Sequence, residues 1–474
     1  MQGDTYQEEN AEFLSEQIIT YIGNKRALLE FIGKGLEIVQ DRLGKKKLVS
    51  ADLFADSGIV SRYLKGHSTT LYTNDLEAYS TYINSCYLTN RSEVNMKLLQ
   101  DTLKTLKEDI RTMWEPGFIA ELYAPQDDNN IQRGERVFYT RRNAIYIDTA
   151  RQAIAKIPAE LQRFFLAPLL YGASVHNNTS GVFKGFYKNY DCVGQFGGEG
   201  RNALVRIMGE IELMLPVFSS FECETTISQL ESLDAVRSFP ELDVAYLAPP
   251  YNQHPYGSNY FMLNLILENK RPESYSKVSG IPDTWNRSAY NKAKFAKEKL
   301  FSVIRECPAK FILISYNSEG FIKYEEFMEF LNSLGTVQPL ETDYNTFRGS
   351  RNLRERAIKV KESSSMKPDG GFLYMVNKRG KRFPILITEK KNQGTNDLRA
   401  QEGKKKQAKG NAIERLGKNV IGLRTALLNE NIFPFICFGD GCDFEDGSSI
   451  IDRVITIAMF GELNVEHLHN IPPV

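Results

Sequence analysis

The sequence contains no run of the roughly 18 consecutive apolar residues that a membrane-spanning helix needs. Its six cysteines form no Cys-x-x-Cys pair, which argues against a structural zinc site and favours reduced thiols in a cytoplasm. The N-terminal segment is acidic and polar, unlike a secretory signal. Lysine plus arginine and aspartate plus glutamate both number 59, so net charge indicates no polyanionic partner. We therefore expect a cytoplasmic protein in which contact with nucleic acid depends on local patches.

Short apolar strands alternate with helical segments over the first two-thirds of the 474 residues. This alternation predicts an α/β fold, in which helices cover both faces of a mostly parallel sheet. Ligands bind such sheets at the carboxyl ends of the strands. The polar turns at 54–58, 75 and 248–251 follow predicted strands, so one pocket could gather them. The strands are predicted at 47–54, 70–75, 242–247 and 311–316.

Two other parts of the chain differ from this alternating pattern in their periodicity and composition. Residues 90–220 have weaker periodicity and more polar and aromatic side chains, which predicts a lobe inserted between elements of the sheet. After about residue 361 a turn-forming stretch leads into a lysine-rich region. We therefore predict a first domain over residues 1–361 and a second over 362–474.

Ala248, Pro249, Pro250 and Tyr251 directly follow the strand predicted at 242–247. The two prolines fix the backbone and withhold two N–H donors. Such a turn suits methylation of an exocyclic amine, which needs acceptors that orient the amine and an aromatic face that stacks the extruded base. A Pro-Pro turn followed by a chance aromatic residue is the alternative interpretation.

Three further turns could surround a nucleotide-like cofactor, although none is specific alone. Asp52-Leu53-Phe54-Ala55-Asp56-Ser57-Gly58 forms a tight turn after a strand. Asp75 ends the next strand, where acids of nucleotide-binding sheets hold a ribose diol. Tyr21-Ile22-Gly23-Asn24-Lys25-Arg26 is a glycine turn with two cations before a helix, and such a turn can hold a carboxylate.

These segments together resemble the D12-class (Dam-like) adenine-N6 DNA methyltransferases. The resemblance covers most of residues 15–362 and implies a Rossmann-like sheet with an inserted target-recognition lobe. It also implies S-adenosylmethionine as the methyl donor, double-stranded DNA as the substrate, and Pro249, Pro250 and Tyr251 around the target base. The cofactor residues that it implies or that the turns suggest are Tyr21, Gly23, Lys25, Asp52, Phe54, Asp56, Gly58 and Asp75. Its segments are YIGNKR at 21–26, DLFADSG at 52–58, TND at 73–75, VFYTRRNAIYIDTAR at 137–151, SVHNNTSGVFKGFYKN at 174–189, APPYNQHPYGSNY at 248–260, ILISYNSEG at 312–320 and YNTFRGSRNLRERAIKVKE at 344–362.

Two positions depart from the pattern of that family. Ala248 stands where the base-pocket box has aspartate, and an alanine methyl group accepts no hydrogen bond from the target amine. Asp56 stands where the cofactor turn has a glycine that can adopt positive φ. Losing one such active-site contact typically costs on the order of 10²–10³ in rate. We therefore expect methyl transfer to be severely impaired.

Pro368-Asp369 and Glu389-Lys390-Lys391, at the end of an apolar strand, form a pattern typical of metal-dependent nucleases. Such enzymes need carboxylates that hold a divalent ion, here Asp369 and Glu389, and a lysine beside the attacking water, here Lys391. A turn aspartate and a surface Glu-Lys-Lys that occur by chance are the alternative.

The surrounding segments resemble the central part of EcoRI-type restriction endonucleases. They are SSMKPDGG at 364–371, ITEKKNQG at 387–394, AKGNAIERLGKN at 408–419 and NIFPFICF at 431–438. The resemblance implies a partial PD-(D/E)xK nuclease-like α/β segment, Mg²⁺ and a GAATTC-like target. It also implies base contacts from Asn411, Ala412 and Arg415, residue types that suit bases. The lysine run Lys404, Lys405 and Lys406 could neutralise phosphates, or could be a solvated loop.

Three functions remain open from the sequence. The first is a site-specific adenine-N6 DNA methyltransferase of a type II restriction-modification system, with a nuclease-derived tail. The second is a bifunctional restriction-modification protein whose tail still cuts. The third is an inactive remnant that binds DNA or cofactor without turnover. The family resemblance favours descent from a methyltransferase, the first function. Ala248 and Asp56 favour the third function, an inactive remnant, as the present state of the protein.

Overall fold

A computed structural model describes residues 8–198, 203–317 and 320–342, and shorter ranges nearer the C-terminus. Those ranges are 358–361, 364–366, 371–376, 382–388, 396–401, 403–405 and 449–450. The chain divides into two compact units, Met1–Tyr344 and Asn345–Val474. The boundary at residue 361 that the sequence suggests stays a prediction.

The first unit is built on a five-stranded, fully parallel sheet. Its strands are β1 (Leu48–Asp52), β2 (Ser68–Asn74), β3 (Glu224–Ser228), β4 (Leu242–Leu247) and β5 (Ala309–Ile314), in the spatial order β3-β2-β1-β4-β5. Ala51 at the centre of β1 pairs with Tyr72 on one side and Ala245 on the other. The sheet confirms the four predicted strands and adds β3. Since the strand order reverses between β1 and β4, ligands are expected at the carboxyl ends of these two strands.

Thirteen α-helices in the described part of this unit accompany the sheet. They are α1 (Leu29–Leu43), α2 (Ile59–Lys65), α3 (Ala78–Tyr87), α4 (Met96–Met113), α5 (Phe118–Tyr123), α6 (Arg141–Ile154), α7 (Ala159–Val175), α8 (Leu204–Met208), α9 (Ser232–Ser238), α10 (Tyr256–Asn259), α11 (Phe261–Glu268), α12 (Ala293–Glu306) and α13 (Tyr324–Leu334).

Apolar side chains of β4 alternate between two cores, because successive residues of a strand point to opposite faces of the sheet. Val244 and Tyr246 pack with α1 and α2 in one core. Ala245 and Leu247 pack with α9, α12 and α13 in the other. Burial of each large apolar side chain contributes about 1.5–3 kcal/mol. Helices therefore cover both faces of the sheet, as the alternating sequence pattern predicts.

A third, larger core lies among helices α3 to α7 and α11. Helices α4 to α8 lie in the chain between β2 and β3, within the range 90–220. Thr140 begins α6 by accepting a hydrogen bond from the backbone N–H of Asn143. Asp148 in the same helix accepts hydrogen bonds from three backbone N–H groups at the start of α5, those of Gly117, Ile119 and Ala120. These contacts fix the helical lobe as a packed body.

The described part of the second unit consists of two antiparallel strand pairs and one helix. The pairs are β6 (Ile358–Lys361) with β7 (Ser364–Met366), and β8 (Gly371–Val376) with β9 (Arg382–Thr388). Helix α14 is Asn396–Gln401. Strand β9 confirms the apolar strand predicted before Glu389. Among the described residues of either unit, no helix is long and apolar enough to cross a membrane.

Candidate active site

The loop after β1 connects the carboxyl ends of three neighbouring strands. The backbone N–H of Leu53 donates to the carbonyl oxygen of Tyr246 at the end of β4, at 3.1 Å. The N–H of Ala55 donates to the carbonyl oxygen of Asn74 at the end of β2, at 3.0 Å. These bonds carry Phe54 and Asp56 to the point where the strand order reverses.

A cleft opens at this point, and four of the residues singled out from the sequence line it. They are Phe54, Asp56, Asp75 and Pro250. The sequence did not single out most of the other lining residues, which are isolated polar or aromatic side chains without a local pattern. These include Asn74, Glu77, Glu231, Ser232, Tyr256, Asn286, Ser288, Tyr290 and Asn291. Of them, Asn74 and Tyr256 lie inside quoted family segments.

Asp75 organises the backbone at the end of β2. One carboxylate oxygen accepts the N–H of Asp56 at 2.7 Å, and the other accepts the N–H of Glu77 at 2.8 Å. Burial raises the pKa of Asp75, while these backbone hydrogen bonds oppose the rise. The Leu76 backbone and the Ser80 side chain also donate to Asp75, so a ligand hydroxyl would share this carboxylate with four protein donors.

Asp56 holds an unusual backbone conformation in the loop after β1. Its φ is +50°, the left-handed region that glycine adopts without strain. Its carboxylate accepts a hydrogen bond of 2.8 Å from the hydroxyl of Tyr21. The ring of Tyr21 lies nearly parallel to those of Tyr256 and Tyr260, with centroid distances of 5.1 and 4.3 Å. The Asp56 carboxylate is therefore fixed against a rigid aromatic wall.

Four acids, Asp52, Asp56, Asp75 and Glu77, lie close together in this region, and burial favours their neutral forms. Burial and then the neighbouring charge of Asp75 raise the pKa of Asp56 well above its ordinary value. Burial raises the pKa of Asp52 to about 7, and that of Glu77 to about 7. Burial lowers the pKa of Lys25, although attraction to Asp56 and Asp52 opposes this.

Lys25, Gly23 and Asp52 lie around the cleft without lining it. The ammonium group of Lys25 donates to the carbonyl oxygen of Gly23 at 2.9 Å. Gly23 has a φ of +76°, which explains the glycine in this turn. Asp52 is fully buried at the end of β1, and one of its oxygens accepts a hydrogen bond of 2.6 Å from Ser61 of α2. Asp52 thus lies beneath the loop rather than in the cleft.

Gly58 begins α2 with a φ of +77°. A Cβ atom added there would lie 2.6 Å from the side-chain oxygen of Asn84. The close approach of α2 to α3 therefore requires a glycine at position 58. The D12-class segment at 52–58 also ends in this glycine.

The box at the end of β4 combines buried and cleft-lining residues. Ala248 and Pro249 are buried, and the Ala248 side chain belongs to the core that contains Val244. Pro250 lines the cleft. The ring of Tyr251 is half-buried and lies 6.2 Å from that of Tyr316, in an edge-on arrangement. The first position of the box therefore carries a methyl group with no hydrogen-bonding capacity.

Most residues of the nuclease-like pattern lie outside the described residues. These are Asp369, Glu389, Lys391, Lys406, Asn411, Ala412 and Arg415. Lys404 and Lys405 are described and exposed, and the carbonyl oxygen of Lys405 accepts a hydrogen bond from Arg399 at 2.9 Å. Within the described ranges, no group of histidine, cysteine, aspartate and glutamate side chains could hold a metal ion. The predicted ligand pair, Asp369 and Glu389, stays a prediction.

The C-terminal part is similar to restriction endonucleases. The family model of restriction endonuclease EcoRI matches residues 351–471. The type II restriction enzyme RsrI of Cereibacter sphaeroides is 34% identical over 139 residues, which cover 23% of this chain and 50% of that enzyme. The chain thus spans only half the length of this relative.

The larger part of the chain is similar to DNA methyltransferases. The type II methyltransferase M.CviAII of Paramecium bursaria Chlorella virus 1 is 28% identical over 340 residues, which cover 70% of this chain and 93% of that protein. The type II methyltransferase M.NlaIII of Neisseria lactamica is 27% identical over 344 residues, with coverage of 70% and 93%. The family model of D12 class N6 adenine-specific DNA methyltransferases matches residues 21–330. The chain therefore belongs to the D12 class of N6 adenine-specific DNA methyltransferases.

Proposed function

We propose that this protein is the adenine-N6 DNA methyltransferase of a type II restriction-modification system, in which Ala248 and Asp56 severely impair methyl transfer. The single observation that carries this proposal is the acceptor-rich cleft at the switch point of a parallel sheet, beside a box whose first residue is Ala248. Members of this family use S-adenosylmethionine, and restriction-modification enzymes act on DNA.

The nucleoside part of that donor fits the cleft. Asp75 lies at the end of β2, where an acid can accept the hydroxyls of a ribose. Asn291 also lines the cleft, and its side-chain oxygen is buried without a hydrogen-bond partner. An orphaned acceptor of this kind suits a ligand N–H donor, such as the amino group of adenine.

The amino-acid part of the donor does not fit equally well. Its carboxylate needs a cation or hydrogen-bond donors, yet the cleft lining within the described residues contains no lysine or arginine. The Tyr21 hydroxyl is already bound to Asp56, and the charge of Lys25 already attracts Asp56. We therefore derive no methyl-transfer step through S-adenosylmethionine for the chain as it stands.

The target base would meet a second deficiency at Ala248. Pro250 and Tyr251 retain the proline and the aromatic ring that suit an extruded adenine. The Ala248 methyl group cannot orient the amine, because it accepts no hydrogen bond. Since the missing contact is of the stronger, charge-assisted kind, its loss is expected to cost about 10²–10³ in rate.

Transfer of labelled methyl groups from S-adenosylmethionine to unmethylated DNA tests this proposal. The unaltered chain is compared with the double variant Asp56→Gly, Ala248→Asp on DNA of mixed sequence. We expect transfer by the double variant alone. Equal transfer by both chains would refute the impairment, and transfer by neither would refute the methyltransferase assignment for any target in that DNA.

The second candidate function is Mg²⁺-dependent cleavage of a GAATTC-like duplex, which the match of residues 351–471 favours. A nuclease that cut this site would damage its own host unless the site were methylated, and impaired methyl transfer leaves it unprotected. We therefore expect this part to bind DNA without cutting it. Incubation of the full chain with Mg²⁺ and a GAATTC-containing duplex tests this expectation, and strand breaks at that site would contradict it.

A further inference from the structure

The Asp56 carboxylate accepts the Tyr21 hydroxyl, a hydrogen-bond donor beside the cleft. Asp56 lines the cleft, and this hydrogen bond is 2.8 Å long. Its own backbone N–H donates a hydrogen bond of 2.7 Å to Asp75, which restrains the backbone of the loop at this residue. The rings of Tyr256 and Tyr260 stack on Tyr21 and hold the donor hydroxyl in place.

The surrounding charges cannot accommodate a second carboxylate. Asp52, Asp56 and Asp75 interact electrostatically with one another, and the described cation that interacts with them is Lys25. Lys25 forms no ion pair within 4.0 Å among the described residues, so its charge is shared over Asp52 and Asp56. A ligand carboxylate beside Tyr21 would therefore find its hydroxyl donor bound to Asp56, and the ionised form of Asp56 would also repel it.

Ligands without a carboxylate avoid this conflict. A neutral 5′-thioether of adenosine places only apolar atoms near Asp56 and leaves the Tyr21 hydroxyl bound to it. Such a ligand keeps the ribose hydroxyls for Asp75 and the adenine amino group for Asn291. The cleft thus combines acceptors for a nucleoside with a built-in carboxylate at its other end.

We propose that Asp56 makes this cleft selective for adenine nucleosides that lack an amino-acid carboxylate, in preference to S-adenosylmethionine and S-adenosylhomocysteine. This inference rests on the proposed function, because it assumes that the cleft holds the adenosine of a methyltransferase ligand. Asp56 acts here as a specificity-determining residue. A charge-assisted hydrogen bond is worth about 1.5–3 kcal/mol, so the preference is expected to be about 10- to 100-fold.

Calorimetric titration of the full chain with 5′-methylthioadenosine and with S-adenosylhomocysteine measures this preference directly. The unaltered chain is expected to bind 5′-methylthioadenosine at least about tenfold more tightly. Asp56→Gly and Asp56→Asn should bind S-adenosylhomocysteine about 10- to 100-fold more tightly than the unaltered chain does, with little change for 5′-methylthioadenosine. Asp101→Asn removes an exposed acid on α4 and should leave both affinities unchanged.

The outcomes separate this inference from the proposed function. Tighter binding of S-adenosylhomocysteine by the unaltered chain would overturn the selectivity and leave the methyltransferase assignment intact. An Asp56→Gly chain that binds S-adenosylhomocysteine no better than the unaltered chain would also overturn it. Absence of binding of both nucleosides to all variants would overturn the proposed function and the inference together.

Discussion

The hydroxyl of Tyr21 donates a hydrogen bond of 2.8 Å to the carboxylate of Asp56, which joins the first turn of the methyltransferase unit to the loop after β1. In the resembled family these two turns face a common cofactor, whereas here they bind each other. The contact is possible because Asp56 adopts a φ of +50° and so directs its side chain into the cleft.

This contact predicts energetic coupling between the two side chains. In a double-mutant cycle of Tyr21→Phe and Asp56→Ala, we expect a coupling of about 1–2 kcal/mol in the free energy of unfolding. Urea denaturation of the four chains measures it. The same cycle with Asp101→Asn in place of Asp56→Ala should be additive, because Asp101 lies exposed on α4. Additivity of the Tyr21 and Asp56 variants within about 0.5 kcal/mol would contradict the contact.

The charge on Asp56 predicts that binding of S-adenosylhomocysteine weakens as pH rises. The raised pKa of Asp56 keeps its carboxyl neutral at lower pH, and deprotonation then adds a charge that repels the ligand carboxylate. The charges of Asp75, Lys25 and Asp52 act on Asp56, and Tyr21 acts on it through a hydrogen bond. Titrations over a series of pH values should show affinity that falls with rising pH in the unaltered chain and a flatter profile in Asp56→Asn. Parallel profiles for the two chains would show that another group controls the pH dependence.

Much of the sheet could be predicted from the sequence, because β1, β2, β4 and β5 contain apolar runs that end in polar turns. Strand β3 could not be predicted, since its residues Glu224–Ser228 are largely polar and partly exposed at the edge of the sheet. A strand at the edge of a sheet is less buried than a central strand and needs fewer apolar residues. Its hydrophobic pattern in the sequence is therefore weak.

The candidate site was only partly predictable. The strand-end rule indicated that the segments at 54–58, 75 and 248–251 would meet, and the structure brings Phe54, Asp56, Asp75 and Pro250 into one cleft. Asn291 could not be anticipated, because it lies far along the chain and its role depends on tertiary packing. The hydrogen bond between Tyr21 and Asp56 likewise depends on a backbone angle that no local pattern specifies.

Replacement of Gly58 by alanine should destabilise the fold by steric crowding as well as by backbone strain, and a second glycine allows the two effects to be separated. Gly58→Ala would place a Cβ atom 2.6 Å from the Asn84 side chain at a φ of +77°. Gly44→Ala, at a φ of +62° with no atom within 4 Å of the added Cβ, carries the strain alone and serves as the matched control. We expect Gly44→Ala to lower the free energy of unfolding by about 1 kcal/mol and Gly58→Ala by about 2–4 kcal/mol. If thermal or urea denaturation showed the same loss of unfolding free energy for both variants, the Asn84 side chain would move away from the added Cβ atom without destabilising the fold.

Asp52 predicts a specific pH dependence of stability. Its pKa is about 7 in the folded protein, against an ordinary value of 3.8, because it is buried. The unfolded chain loses this proton first, so the stabilisation present below about pH 4 is lost as pH rises to about 7, by up to about 4 kcal/mol. Asp52→Asn does not titrate, so its stability relative to the unaltered chain should increase between about pH 4 and about pH 7. A constant difference in urea denaturation over this range would mean that Asp52 is already ionised in the folded protein.

The central claim, that Ala248 and Asp56 together impair a methyltransferase, is tested most directly by the rate of labelled methyl transfer in four chains. These are the unaltered chain, Ala248→Asp, Asp56→Gly and the double variant, all at high S-adenosylmethionine and with the same unmethylated DNA. We predict that each single variant stays slow, because one deficiency remains, and that the double variant exceeds the unaltered chain by at least about 10³-fold. Transfer by the unaltered chain within about tenfold of the double variant would contradict the claim.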